Sequence, residues 1–230
     1  LFPRPNYLTG MAYMLLSSMM YDWGGLSAPL LLNLLLIWIW YLLVKLAGNS
    51  SPKSAIFNIA VITGILPLIY APALVYVLLL LIALLIVRSP SVTEVLVALI
   101  GIATPYYFFS VILYLTDQWT ADKLLPSFSF YLPRMPASLW ISGAILLLLI
   151  PFLMGGYFIQ DNLNKMLIQV RKSWSLLLLL LMVSLLVILI TRGQDYTSWL
   201  VLVAPLAVFH AATYFFLQAR WLALLLHWAS

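Results

Sequence analysis

The sequence predicts an all-α protein, a polytopic transmembrane helical bundle with about eight membrane crossings in a single integral-membrane domain over residues 1–230. Hydrophobic residues make up 65% of the chain and charged residues only 7%, whereas a soluble domain carries roughly 25% charged residues. Long apolar runs, bounded by charged or turn-forming residues, recur along the sequence. Because a helix satisfies its own backbone hydrogen bonds in lipid, helices are the expected form of these runs.

The predicted crossings follow the apolar runs in chain order. They cover residues 7–20, 27–44, 55–70, 72–87, 92–115, 138–158, 174–191 and 196–217. Several are shorter than the roughly 20 residues that an untilted helix needs to cross the hydrocarbon layer. The distribution of charges between the two sides therefore tests the number of crossings.

Basic residues sort strongly to one side when the eight predicted crossings alternate. That side carries Arg4, Lys45, Lys53, Arg88, Lys165, Arg171, Lys172 and Arg220, and the other carries Lys123, Arg134 and Arg192. Cytoplasmic loops carry the excess of Lys and Arg, so the first side is predicted to be cytoplasmic, with both ends of the given sequence there. The net charge of +5 thus reflects orientation in the membrane and predicts no nucleic-acid partner.

Two hairpins, over residues 7–45 and 50–88, resemble each other in layout. Pro29 and Pro72 open their return spans, and Lys45 and Arg88 close them at equal spacing. A parallel repeat of the kind found in transporters is one interpretation. The other is that proline at a helix start and a cation at its end are ordinary helix punctuation.

Three further segments carry local patterns. Residues 116–137 form the longest predicted connection, an outer loop that could act as a lid, a docking strip or a cover over helix ends. Residues 159–172 show helical spacing of apolar residues, which predicts an amphipathic cytoplasmic helix on lipid or against a partner. Ser91 and Glu94 have the spacing of a capping box, and the helix that they start is one kinked span through Pro105 or a re-entrant element.

Candidate sites are few, because the spans contain almost no ionisable side chain. His210 could be a proton relay or could hold helices together, and with Asn33 and Asn58 it defines a possible intramembrane polar site. Asp22, Asp117 and Asp122 lie on the predicted outer side, where they could be catalytic or simply solvated. The chain has no cysteine and no His and carboxylate spacing typical of a metal site, so no metal or other cofactor is predicted.

Several segments resemble a known family. They are residues 7–18, 28–33, Arg88 with 92–101, and 104–109. They are similar to an uncharacterised family of multi-pass inner-membrane proteins from Bacteroidota, which is classed as a domain of unknown function. The likeness covers most of the chain, and it implies a fragment that lacks the amino-terminal end. The family has no established activity, so the resemblance implies no catalytic residue.

The function predicted from these features is that of a non-catalytic integral inner-membrane subunit or scaffold of a cell-envelope complex. Its expected partners are the lipid bilayer and other proteins of that complex. One alternative is a membrane glycosyltransferase-like enzyme that uses the outer aspartates on a polyprenyl-phosphate-linked substrate. A second alternative is a transporter of a small or lipidic substrate, with a polar cavity around His210, Asn33 or Asn58.

Overall fold

The computed structural model describes residues 2, 7–19, 21–49, 51–120, 139–191 and 196–216, and these are helical with no β-strand. The helices are α1 (Leu8–Ser18), α2 (Ala28–Leu46), α3 (Pro52–Ile69), α4 (Tyr76–Val87), α5 (Val92–Leu115), α6 (Leu139–Asn162), α7 (Ile168–Ile190) and α8 (Val203–Phe216). Short 3-10 helices cover Tyr21–Gly24, Ala71–Val75, Leu163–Lys165 and Tyr196–Leu202. The predicted all-α class is confirmed.

Six helical stretches of the described chain are long and apolar enough to cross a membrane. They are Ala28–Leu46, Pro52–Ile69, Val92–Leu115, Ile145–Lys165, Ile168–Ile190 and Tyr196–Phe216, and a shorter apolar helix covers Ala71–Val87. The first predicted crossing corresponds to α1, which has 11 residues. A helix of that length rises about 16 Å, roughly half of the hydrocarbon thickness. The predicted count of about eight is therefore not confirmed, and six is the number that length and composition support.

Helix α7 forms the centre of the bundle and separates two hydrophobic clusters. On one side Leu176 and Leu180 pack with α2, α3 and α4. On the other side Leu177 and Leu181 pack with α1, α6 and α8. A helix that is apolar all round can bury two faces in this way, and α7 has this composition.

Helix α5 is one continuous helix through Pro105, as the kinked-span interpretation predicted and the re-entrant one did not. The predicted capping box at its start is confirmed. The Ser91 hydroxyl accepts a hydrogen bond from the backbone N–H of Glu94 at 3.4 Å, and the Glu94 carboxylate accepts one from the Ser91 N–H at 3.1 Å. These two bonds satisfy helix-end donors that have no partner within the helix.

The predicted amphipathic helix over residues 159–172 is wrong. Helix α6 continues to Asn162, a 3-10 turn follows, and Met166 is extended before α7 begins. The helical spacing of apolar residues arises because Leu163 and Met166 pack on the cluster formed with α1, α6 and α8. The apolar pattern therefore belongs to the connection between α6 and α7 and not to a separate helix on the membrane surface.

The two predicted hairpin repeats differ in their packing. Helix α1 packs chiefly on α8, whereas α3 packs chiefly on α5. Pro29 lies in the first turn of α2, and Lys45 lies in its last turn. These positions favour the simpler interpretation, in which the equal spacing reflects helix starts and ends. Most of the predicted outer loop 116–137 lies outside the described residues.

Candidate functional site

Two buried polar side chains of α8, His210 and Thr213, lie where α8 crosses α6. His210 is buried, and its Nε2 lies 2.9 Å from the carbonyl oxygen of Leu148. Because a carbonyl only accepts, Nε2 carries the proton in this bond. The hydroxyl of Thr213, which is also buried, donates to the carbonyl of Pro151. Both side chains of α8 thus bond to the backbone of α6.

Both bonds lie close to Pro151, which interrupts the hydrogen bonding of α6. A proline inside a helix has no N–H to donate to the carbonyl four residues earlier, which here is that of Leu147. Membrane helices tolerate such prolines when donors from a neighbouring helix satisfy the opened backbone. His210 donates to the carbonyl of Leu148, next to this interruption, and Thr213 donates to the carbonyl of Pro151 itself. The geometry supports the packing interpretation of His210 over the proton-relay one.

Gly155 lets the two backbones come close at this crossing. A Cβ atom at this position would overlap the carbonyl oxygen of Phe209 and would lie 2.8 Å from the Thr213 hydroxyl oxygen. Small residues at such points allow the close approach on which helix packing in lipid depends. The sequence alone does not identify the partner of this glycine, because Phe209 and Thr213 lie more than 50 residues further along the chain.

Hydrogen bonds hold the His210 ring and the Thr213 hydroxyl, and each should contribute to stability. Replacing His210 with leucine or Thr213 with valine should lower the free energy of unfolding by about 1 kcal/mol each. Reversible unfolding in mixed detergent micelles measures this change. Thr104→Val is the matched control, because the hydrogen bond of the Thr104 hydroxyl is exposed and stays within its own helix. If all three variants lose equal stability, the bonds between α8 and α6 contribute no more than a hydrogen bond within one helix.

Asn33 and Asn58, the other members of the predicted intramembrane polar site, have different environments. The amide of Asn33 is buried and donates to the carbonyl of Leu200 at 2.7 Å, while its Oδ1 is buried without a hydrogen-bond partner. Asn58 is exposed on α3. Asn33 therefore links α2 to the 3-10 helix before α8, and its bond is separate from that of His210.

Three further polar links join segments that are distant in the sequence. The Tyr76 and Ser184 hydroxyls lie 2.9 Å apart between α4 and α7, and those of Tyr70 and Thr191 lie 3.0 Å apart. Trp23 donates its indole N–H to the carbonyl of Tyr196 at 2.8 Å. In the sequence, the first of these links is indicated only by Ser184, a serine within the apolar run of α7. A serine in such a run does not identify the residue that it bonds to.

Charged groups meet at one end of the bundle, where α4 ends and α5 and α7 begin. Arg88 forms an ion pair with the buried carboxylate of Glu94 at 3.3 Å. The Lys172 ammonium donates to the carbonyl of Val87, the last residue of α4, at 2.7 Å. A cation at a helix C-terminus satisfies a carbonyl that lacks its helical partner and favours the helix dipole. These contacts therefore hold the end of α4 together with the starts of α5 and α7.

Glu94 has two separable roles, which two variants should distinguish. Glu94→Ala removes both the cap and the ion pair and should cost about 1 kcal/mol or more of unfolding free energy. Glu94→Gln keeps an acceptor of the type that capping boxes use and should cost less. Chemical denaturation in micelles gives both values. A glutamine variant as unstable as the alanine variant would show that the ion pair with Arg88 dominates.

Three aspartates that the sequence predicts on the outer side, Asp22, Asp117 and Asp122, were candidates for catalysis. Asp117 is exposed just after α5 and has a positive φ of 55°, a conformation typical of a helix C-terminus. Asp22 belongs to the 3-10 helix Tyr21–Gly24, but its side chain and the whole of Asp122 lie outside the described residues. Within the part of the chain that the structure describes, His, Asp and Glu form no group of three that could hold a metal ion.

Together, the apolar helices and their polar links define a multi-pass α-helical membrane protein. No family model, curated protein or solved structure matches the chain. The contacts within the bundle therefore carry the functional argument.

Proposed function

We propose that this protein is a non-catalytic integral-membrane subunit or scaffold of a bacterial cell-envelope complex. The observation that carries the proposal is how the bundle uses its buried polar side chains. His210, Thr213, Asn33 and Tyr76 bond to other helices or to the helical segment before α8, and Glu94 caps a helix. An enzyme or coupled transporter needs such groups free to act on a substrate or proton.

The basic end of the bundle supports a cytoplasmic orientation for that end. Lys45 lies in the last turn of α2, Arg88 follows α4, and Lys172 lies in the first turns of α7. Val44 and Ala47 at the end of α2 line one small cavity with Val87 and Lys172, so these three cations lie at the same end of the bundle. The positive-inside rule makes that end the cytoplasmic one.

Helix α5 offers the surface on which to test a partner. Only 11% of its apolar span is buried, and Tyr107 and Phe108 are more than half exposed. An exposed helix face needs only lipid to cover it, so a protein partner must be shown by experiment. The subunit proposal expects that partner to contact this face.

The test is purification of the tagged chain from native membrane in a mild detergent, followed by quantitative mass spectrometry. We expect a protein in constant ratio to the wild-type chain, and its loss from a Tyr107→Ala, Phe108→Ala variant. The matched control replaces Leu153 and Tyr157, which are similarly exposed on α6. A chain that purifies alone, or a partner lost equally from both variants, would count against the proposal.

A further inference from the structure

A groove opens between α6 and α7. It encloses about 550 Å³, within the range of ligand-binding clefts. Its walls are mainly apolar and include Gly156 and Ile159 of α6, Leu178 and Met182 of α7, and Phe209 of α8. The groove exists because α6 packs on α8 whereas α7 packs on α4, so the two helices diverge.

Three cations lie within four residues of positions that line the groove. Arg88, which follows α4, comes two residues after the lining residue Ile86. Lys165, in the 3-10 helix after α6, comes two residues after the lining residue Leu163. On α7, Arg171 precedes the lining residue Ser175 by four positions and lies on the same stripe of the helix. Of the three, Arg171 shares a helix face with a residue that lines the groove, and the other two lie close to the groove in the sequence.

Two acids near these cations offset part of that charge. Glu94 is paired with Arg88, and Asp161 is exposed on α6. Arg171 and Lys165 are both exposed. Basic pockets between membrane helices are suited to anionic lipid head groups.

We propose that this groove is a binding site for an anionic phospholipid. One acyl chain lies along the apolar wall from Ser175 to Met182, and the phosphate faces Arg171 and Lys165. The wall rises about 10 Å along α7, which matches the outer part of an acyl chain lying parallel to a membrane helix. Charge selects the lipid class, because a zwitterionic lipid fills the apolar wall equally well but gains less from the cations.

Native mass spectrometry of the purified chain in detergent tests the site, using phosphatidylglycerol and phosphatidylcholine with identical chains. We expect phosphatidylglycerol to bind roughly fivefold or more tightly, since each cation near an anionic lipid is worth about that factor. Arg171→Gln should remove most of this preference. Lys53→Gln, an exposed cation on α3, should leave it unchanged.

Gly156→Leu tests the apolar wall. A Cβ at Gly156 meets no atom within 4 Å, so the leucine fills the groove without disturbing the helices. This variant should lower binding of both lipids while the protein keeps its size-exclusion profile. Equal binding of the two lipids to the wild-type chain, or unchanged binding in Arg171→Gln, would overturn the proposal. The proposal would also be overturned if the wild-type chain formed dimers that Gly156→Leu disrupts. A second copy of the chain would then be the occupant of the groove.

Discussion

Replacing Gly155 with alanine should lower the free energy of unfolding by about 3 kcal/mol, at the upper end of the usual cost of overpacking. The added methyl group would overlap the carbonyl oxygen of Phe209, which belongs to the backbone of α8 and cannot rotate away. To relieve the overlap, α8 must move away from α6. That movement also stretches the bonds that His210 and Thr213 make to α6.

The neighbouring glycine supplies the matched control. Gly156→Ala adds the same methyl group to the same helix, but into open space. Alanine is the better helix former, so this variant should be neutral or more stable by up to about 1 kcal/mol. Reversible unfolding in mixed micelles, followed by tryptophan fluorescence, compares the two. Equal losses at both positions would show that α6 and α8 do not cross as closely as the structure places them.

Helix positions were largely predictable from the sequence, whereas the faces that those helices bury were not. In α7, Leu177 is 3% exposed and its neighbour Leu178 is 49% exposed. The two residues are chemically identical and lie in one run of leucines. Lipid is as apolar as the protein interior, so membrane helices need no polar outer face to mark their orientation.

In the candidate site, a contact within one helix could be predicted from the sequence, whereas a contact between helices could not. The capping box of Ser91 and Glu94 could be predicted because both partners lie within one helical turn. The bond between His210 and Leu148 joins residues that are 62 positions apart, and it uses a backbone carbonyl that any residue type provides. A histidine in an apolar run predicts that some partner exists. Only the fold identifies the partner.

A second glycine should control the attachment of α5. Replacing Gly64 with valine places a Cβ 2.5 Å from the carbonyl oxygen of Ile102 in α5. Because α5 packs chiefly on α3, its release need not unfold the rest of the bundle. We expect a local loss of about 3 kcal/mol, which raises the population of detached α5 by roughly 100-fold.

The absence of cysteine from the sequence makes this change measurable. Ala98 is fully buried on α5, so Ala98→Cys is a reporter that a membrane-permeant maleimide reaches only after α5 detaches. Labelling should be roughly 100-fold faster with Gly64→Val if the reagent reports the detached population. Gly143→Val is the control, because a Cβ at Gly143 meets no atom within 4 Å. Equal labelling rates in both backgrounds would mean that Gly64 does not hold α5.

Gly101 allows a sharper version of the same test. A Cβ at Gly101 would lie 2.6 Å from the Cβ of Ala60 and 3.0 Å from the carbonyl oxygen of Phe57. The closer of these neighbours is a side-chain atom, which Ala60→Gly removes. Gly101→Ala should therefore accelerate labelling of the Ala98→Cys reporter, and the added Ala60→Gly change should reverse most of that effect. No such rescue is expected for Gly64→Val, because its closest neighbour is backbone. Rescue of both variants, or of neither, would contradict the packing of α3 on α5 through these two glycines.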